Sequence, residues 1–394
     1  MNKSARRLLV TTAIAAATLY AGTLRAEADF IQTNLVSDIS GLAALTEPEL
    51  HNPWGISHTA TSPIWISNQG TDTANLFAVS PTLMKVSPAG TDGNIGIPTT
   101  GGGGPTGQVA NPTSSFLVGG NGADNQPAHF IFANLNGTIS AWDMGQNAFV
   151  QVTTPNAVYT GLAIVNLPQS QGGPLLYAAN NAAGRIDVFD GSFKPVNNGA
   201  FATPAAIPAG LVPFNVQTLS NGNVAVTYAP PGRPTTATPG TGAVAIFDAT
   251  GTMLKQTILG TINGNFNAPL AAPWGITLAP AGFGPFGGDL FVGNFSFMAS
   301  EINVFDASGN FLFTIPINVG VGNTPGGLWS LEFGTGGSNG SPNTLFFTDG
   351  INGEMDGLFG ALNVPGPIAG AGLPGLILAS GGLLGWWRRR QKSA

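Results

Sequence analysis

The chain has 394 residues, no cysteine, 57 glycines and 30 prolines, and a formal net charge of −6. Without cysteine there is no disulfide and no thiolate metal site, so the fold rests on apolar core and hydrogen-bonded ladders. Of the thirteen Lys and Arg, four lie at or before Arg25 and four follow Trp387, leaving five bases against eighteen acids, all but Glu27, in the body from residue 29; that balance is the reverse of a phosphate-backbone binder, and nucleic acid is excluded as a partner.

In chain order, Lys3, Arg6 and Arg7 precede an apolar run at 8–20, and "LRAEA" follows with small residues at Ala26 and Ala28. A charged start, an apolar middle and a small-residue exit predict a secretory signal peptide over 1–28. A single β-rich stretch, "FIQTNLV" at 30–36, then stands ahead of a repeating body.

The repeat is built from three phrases. Short β-rich runs ending in a turn residue occur as "IWISN" (64–68), "FIFAN" (130–134), "LYAAN" (176–180), "VAVTY" (224–228), "LFVGN" (290–294) and "LFFTD" (345–349). Each precedes a second run, clearest as "GTISAWD" (137–143), "GRIDVFD" (184–190), "GAVAIFD" (242–248) and "SEINVFD" (300–306), weaker as "ANLFAVS" (74–80) and "GEMDGLF" (353–359). Ahead of each pair comes "PWGI" (53–56 and 273–276), "YTGL" (159–162), "PFNV" (213–216) or "PGGL" (325–328), with a degenerate second copy near 111–116. With a fourth strand such as "GNFLFTI" (309–315), the unit is four strands, repeated six times. Four-stranded units in that number predict an all-β, six-bladed β-propeller over 29–362. The sixth copy stops before a fourth strand, so the stretch at 30–36 is expected to complete the last blade and cover its edge.

The order strand, "VGN", then "INVFDASGNFLFTI" (302–315) resembles NHL-repeat propellers. Propellers of that type bind proteins, RNA or small molecules and sometimes act as lyases or lactonases, so the resemblance implies a fold rather than a chemistry.

The chain ends "VPGPIAGAGLPGLILASGGLLGWWRRRQKSA" from 364 to 394. Twenty uncharged residues at 368–387 match the ~30 Å hydrocarbon core, and Arg388, Arg389 and Arg390 after paired tryptophans predict a span with its basic end inside. The hinge, the glycine-rich span and the basic tail at 363–394 resemble PEP-CTERM sorting signals; Val364, Pro365 and Pro367 match the motif and Gly366 stands where it has glutamate. The body is similar over its length to PEP-CTERM-associated propellers. This resemblance implies an exosortase-like processing enzyme and the inner membrane as partners, then release to the cell surface or exopolysaccharide matrix.

Two sets of residues are candidates for a site. Asn68, Asn134, Asn180, Asn294 and Asp349 close the first-phrase runs and form one ring by repeat symmetry. Their oxygens suit Ca²⁺, or each side chain serves its own Asx turn, the reading preferred here. The repeated Asp143, Asp190, Asp248 and Asp306 read as hairpin formers. Trp54, Thr160, Phe214, Trp274 and Gly326 break the repeat at one common place, the start of the innermost strand, where Trp54, Phe214 and Trp274 would offer aromatic faces to a sugar or an apolar ligand, or else pack between blades. His51, His58 and His129 show no zinc spacing. "GGSNG" (336–340) and "GGGPTG" (102–107) match nucleophile-elbow and dinucleotide patterns only by glycine content and read as loops. The polar insertions 99–115 and 229–242 read as mobile surface segments.

The expectation is an exported binding or scaffold module, its partner exopolysaccharide or another surface component and no cofactor required; the alternative is a lactonase-type hydrolase with a divalent metal in the channel.

Overall fold

The structure, a computed structural model, describes residues 30–90, 94–99, 103–119, 125–259 and 269–364. Six sheets are arranged in sequence order, and each contributes one blade. The innermost strands are Pro53–Ser57, Pro105–Ala110, Tyr159–Val165, Val212–Thr218, Pro273–Leu278 and Leu328–Phe333. Blades one to five each close with their own fourth strand, from Val86–Pro88 to Phe311–Pro316. In blade six the order runs from Leu328–Phe333 through Leu345–Asp349 and Leu358–Asn363 to Ile31–Ser37, with Leu45–Thr46 parallel outside it. The N-terminal strand therefore closes the ring, as its isolation in the sequence predicted.

The second strands carry continuous apolar runs because both of their faces are covered. In Leu175–Asn180, Leu176 and Ala178 pack with Ile131 and Ala133 of blade two. Tyr177 and Ala179, on the opposite face, pack with Val226 and Tyr228 of blade four. The junction of blades six and one is sealed in the same way, with Ile64, Ile66 and Phe77 against Phe346 and Phe359. Closing the ring thus buries a core that the N-terminal strand protects. A chain beginning at residue 48 is expected to expose that edge and aggregate, with loss of cooperative unfolding; size-exclusion chromatography and circular dichroism check this, and a monomeric, cooperatively melting product would refute it.

Three sequence expectations are corrected. The blade-two counterpart of "PWGI" is "PTGQ" at 105–108 rather than a degenerate copy near 111–116, and Pro105–Ala110, inside the supposed loop, is the innermost strand. Its first four residues are buried, so the second half of "GGGPTG", Pro105 to Gly107, is strand rather than loop or mobile insertion. The segment 229–242 is likewise docked: Phe297 N–H donates to Thr235 O at 2.9 Å, Ser296 Oγ to Ala237 O at 2.6 Å, and Gly232 N–H to Asn181 Oδ1 at 2.9 Å. Finally, the third strand of blade six begins at Leu358, so the phrase at 353–359 is mostly a turn.

Among the described residues no helix is long and apolar enough to cross a membrane. The expected signal peptide at 1–28 lies outside the described residues, as does the expected span at 368–387. So do Pro365, Gly366, Pro367 and Arg388, Arg389 and Arg390; Val364 ends the described chain.

Candidate functional site

Each innermost strand begins with a local irregularity. Pro53, Pro105, Tyr159, Pro213, Pro273 and Leu328 pair with Asn68, Asn134, Asn180, Tyr228, Asn294 and Asp349, and the register shifts immediately afterwards in all six blades. Bulges of this kind re-aim a side chain. The residues so placed are Trp54, Thr106, Thr160, Phe214, Trp274 and Trp329. The sequence phrases named four of the six correctly, assigned Gly326 where Trp329 belongs, and passed over Thr106. The signal for Trp329 was the pairing partner, since Asp349 aligns with Leu328 as Asn68 aligns with Pro53.

The residue after the bulge is glycine in four blades because the innermost strands converge here. A Cβ on Gly55 would lie 2.6 Å from Thr106 O, and one on Gly107 would lie 2.5 Å from Leu162 N. Asn215 and Ser330 replace the glycine in the other two blades and bridge instead: Asn215 Nδ2 donates to Trp274 O at 2.9 Å, and Ile56 N–H donates to Ser330 Oγ at 3.1 Å.

The aromatic residues of this ring fill the channel rather than standing around it. Trp54 stacks on Trp329 at 3.5 Å between centroids, Trp274 meets both edge-on at 6.0 and 5.6 Å, and Phe295 lies 4.4 Å from Trp329. Trp274 Nε1 donates across the axis to Thr160 O at 2.8 Å, and Trp329 Nε1 to Asn52 Oδ1 at 3.0 Å. Trp54, Phe214 and Trp274 are 6%, 1% and 2% exposed. The expected aromatic faces are therefore largely turned on one another, in one cluster with Trp329 and Phe295.

Above this plug lies a cavity of about 680 Å³. Trp54, Phe214, Phe295 and Trp329 contribute to its floor, Leu135, Val158, Ala182 and Pro231 to its walls, and Asn52, Gln69, Asn181, Arg233 and Glu354 its polar lining. Arg233 comes from the docked 229–242 segment of blade four and Glu354 from the turn in blade six, and the two form an ion pair. Asn352, Gly353 and Glu354 all have positive φ (56°, 69° and 68°), a run that L-residues adopt at a cost. It is held by Asn352, whose Nδ2 donates to Asp356 Oδ2 at 2.8 Å and whose Oδ1 accepts Thr324 N–H at 2.9 Å. The Glu354 side chain is 9% exposed against 59% for Arg233. Burial pushes its carboxyl up to about 7, with Arg233 offsetting only part of that rise.

The asparagine ring lies one strand farther out, and its amides point along their own blades. Asn68 Nδ2 donates to Thr73 Oγ1 at 3.1 Å and to Asn75 Oδ1, Asn134 to Thr138 Oγ1 at 3.0 Å, Asn180 to Asp187 Oδ2 at 2.7 Å, and Asn294 to Glu301 Oε1 at 2.8 Å. Asn180 Oδ1 and Asn294 Oδ1 also accept backbone N–H groups. Asp349 is paired with Leu358 on the third strand; neither of its carboxylate oxygens is within good hydrogen-bond geometry of a partner, and the nearby Ser300 hydroxyl offsets only part of its burial. Among the described residues no three His, Asp or Glu side chains gather as a metal site would need. Asp190, Asp248 and Asp306 accept N–H groups of their own hairpins, for example Ser192 N–H at 2.8 Å and Asn310 N–H at 2.9 Å.

At the opposite end of the channel a smaller cavity of about 190 Å³ is lined by His58, Gln108, Gln217 and Glu332 among others. His58 Nε2 lies 2.8 Å from Phe333 O, and Gln217 Nε2 donates to Glu332 Oε2 at 3.5 Å.

No family model matches the chain. Two proteins of Acanthamoeba polyphaga mimivirus, both described as uncharacterized, are similar to it. One is 28% identical over 345 residues, covering 83% of this chain and 78% of the relative; the other is 26% identical over 316 residues, covering 74% and 75%. Solved structures are similar at a lower level. A streptogramin B lyase is 10% identical with a TM-score of 0.48, covering 85% of this chain and 97% of that one. A putative glucose dehydrogenase from Thermus thermophilus is 14% identical with a TM-score of 0.47, covering 84% and 99%.

Proposed function

We propose that this propeller is a binding module that works outside the cytoplasm and takes a compact ligand in the cavity above the aromatic plug. The observation that carries the reading is the cavity itself: about 680 Å³, concave, mostly apolar, with a small polar lining at one mouth of the channel, which is the usual form of a small-molecule site. The ring favours binding over metal-assisted hydrolysis because its asparagine amides donate within their own blades, Asn180 Oδ1 and Asn294 Oδ1 already accept backbone N–H groups, and Asp349 is its one carboxylate. With Trp54 stacked on Trp329, a single sugar-sized or smaller group fits better than a length of flat polysaccharide lying across exposed rings. Export, sorting by an exosortase-like enzyme and a place in the exopolysaccharide matrix belong to the same proposal, supported by the charged start, the apolar run and the basic tail of the sequence.

Ala182 is exposed and lines the mouth, so Ala182→Trp is expected to block the cavity without disturbing the core. Titrating the full chain with panels of neutral oligosaccharides and amphipathic small molecules while following tryptophan fluorescence should give a saturable change that this variant lacks at an unchanged thermal midpoint. A response that persists in Ala182→Trp, or no response to either panel, would remove the cavity as the site.

A further inference from the structure

We infer that the cavity recognises a protonated amine, held between the Glu354 carboxylate and the aromatic floor. This inference rests on the reading of the cavity as a binding site and adds the chemistry of what it binds.

Arg233 and Glu354 are the two charged residues lining the cavity, and they are placed unequally. The guanidinium is mostly in solvent, 5.3 Å over the Phe297 ring, whereas the carboxylate belongs to the interior wall. One carboxylate oxygen, Oε2, accepts Arg233 Nη2; the other, Oε1, is buried with no hydrogen-bond partner. A buried carboxylate left half-satisfied is costly and is relieved by a further donor or cation. Its raised pKa is the same fact seen through its proton, since Arg233 alone does not compensate the burial.

The neighbouring surface narrows the choice of donor. Aromatic rings attract cations through their quadrupole, most strongly where water is excluded; Trp54, 6% exposed, is the ring of the plug that reaches the cavity, backed by the buried Phe214, Phe295 and Trp329. A neutral hydroxyl would satisfy Oε1 but gain nothing from the rings, and an anion would be repelled by the carboxylate. The excess of acids between the two termini draws cations toward the propeller as well. The successive positive φ values that hold Glu354 in place are a backbone cost of the kind that collects at functional sites. An amine could come from an amino sugar or from a small organic amine, and both present the same ammonium group.

The test is isothermal titration of the full chain at neutral pH with two matched pairs: glucosamine against glucose, and phenethylamine against phenethyl alcohol. The amine is expected to bind roughly ten-fold more tightly than its neutral counterpart in at least one pair, a ratio equal to about 1.4 kcal/mol; the pair showing the preference identifies the source. Glu354→Gln should abolish the preference, so that the amine and its neutral counterpart bind the variant equally. Arg233→Gln should strengthen amine binding, because it removes the competing cation; a structural role for the ion pair would weaken it instead. Equal binding within both pairs overturns the amine inference while leaving the cavity as a binding site, and binding by none of the four overturns both.

Discussion

Replacing Trp329 by alanine is expected to destabilise the propeller by about 3–5 kcal/mol, the usual cost of emptying a large buried aromatic site. Trp329 is fully buried and sits at the centre of the plug, stacked on Trp54, edge-on to Trp274 and 4.4 Å from Phe295. Its indole N–H also holds Asn52 Oδ1, so truncation leaves an acceptor without its donor at the start of blade one. Trp329→Phe, which keeps a ring and loses the N–H, should cost clearly less. Urea unfolding followed by circular dichroism measures both. If the alanine variant lost less than about 1 kcal/mol, the ring would be tolerating a void, and the channel filling would not be a core in the energetic sense.

Asp349→Asn is expected to remove a pH dependence from the stability of the folded chain. Both carboxylate oxygens of Asp349 are buried without a well-formed hydrogen bond, and burial pushes its pKa up to about 7 from 3.8, with the nearby Ser300 hydroxyl offsetting only part of the rise. An acid whose folded-state pKa is raised holds its proton more tightly in the folded chain. Its protonated form is therefore tolerated at low pH, and stability falls as pH rises from about 4 through about 7, where the folded group finally ionises. The full span of that shift corresponds to about 4 kcal/mol. Asp38, Glu301, Glu332 and Glu354 are also raised by burial, so the difference between wild type and variant isolates Asp349. The variant's thermal midpoint should change less between pH values of about 5 and 8 and exceed wild type at the upper one. Parallel curves for the two proteins would mean that Asp349 ionises in the folded chain as readily as in the unfolded one.

Why Asp349 is exposed to this cost is legible only by comparing blades. In the first three blades and the fifth, the residue at this position meets a polar partner on its third strand: Thr73, Thr138, Asp187 or Glu301. In blade six the third strand begins late, because the Asn352–Glu354 turn occupies the place where the other blades already have strand, and Leu358 faces the carboxylate. The same displacement brings Glu354 to the cavity. Taking "GEMDGLF" at 353–359 as a weaker copy of the second run conceals both consequences.

The second strands were readable almost to the residue, since "IWISN", "FIFAN", "LFVGN" and "LFFTD" coincide with the observed strands. Their continuous apolar character comes from being covered on both faces, and that is a local signal. The closing strand was readable too, because an unpaired sheet edge must be covered and only one β-rich stretch was left to cover it. Blade two's innermost strand escaped because its glycine and proline are the residues of loops elsewhere. Here proline starts the strand and glycine permits the strands to approach at the axis.

Composition, the repeat and the leftover strand thus determined by themselves an all-β ring of six four-stranded blades, for each depends on neighbours close in the chain or on a requirement that every sheet must meet. What fills the ring, what closes over its mouth and which charges face the cavity were decided by tertiary structure alone. Trp54 and Trp329 are stacked although 275 positions separate them, and Arg233 pairs with Glu354 from another blade. Residues that meet only because six strands converge on one axis leave no pattern along the chain.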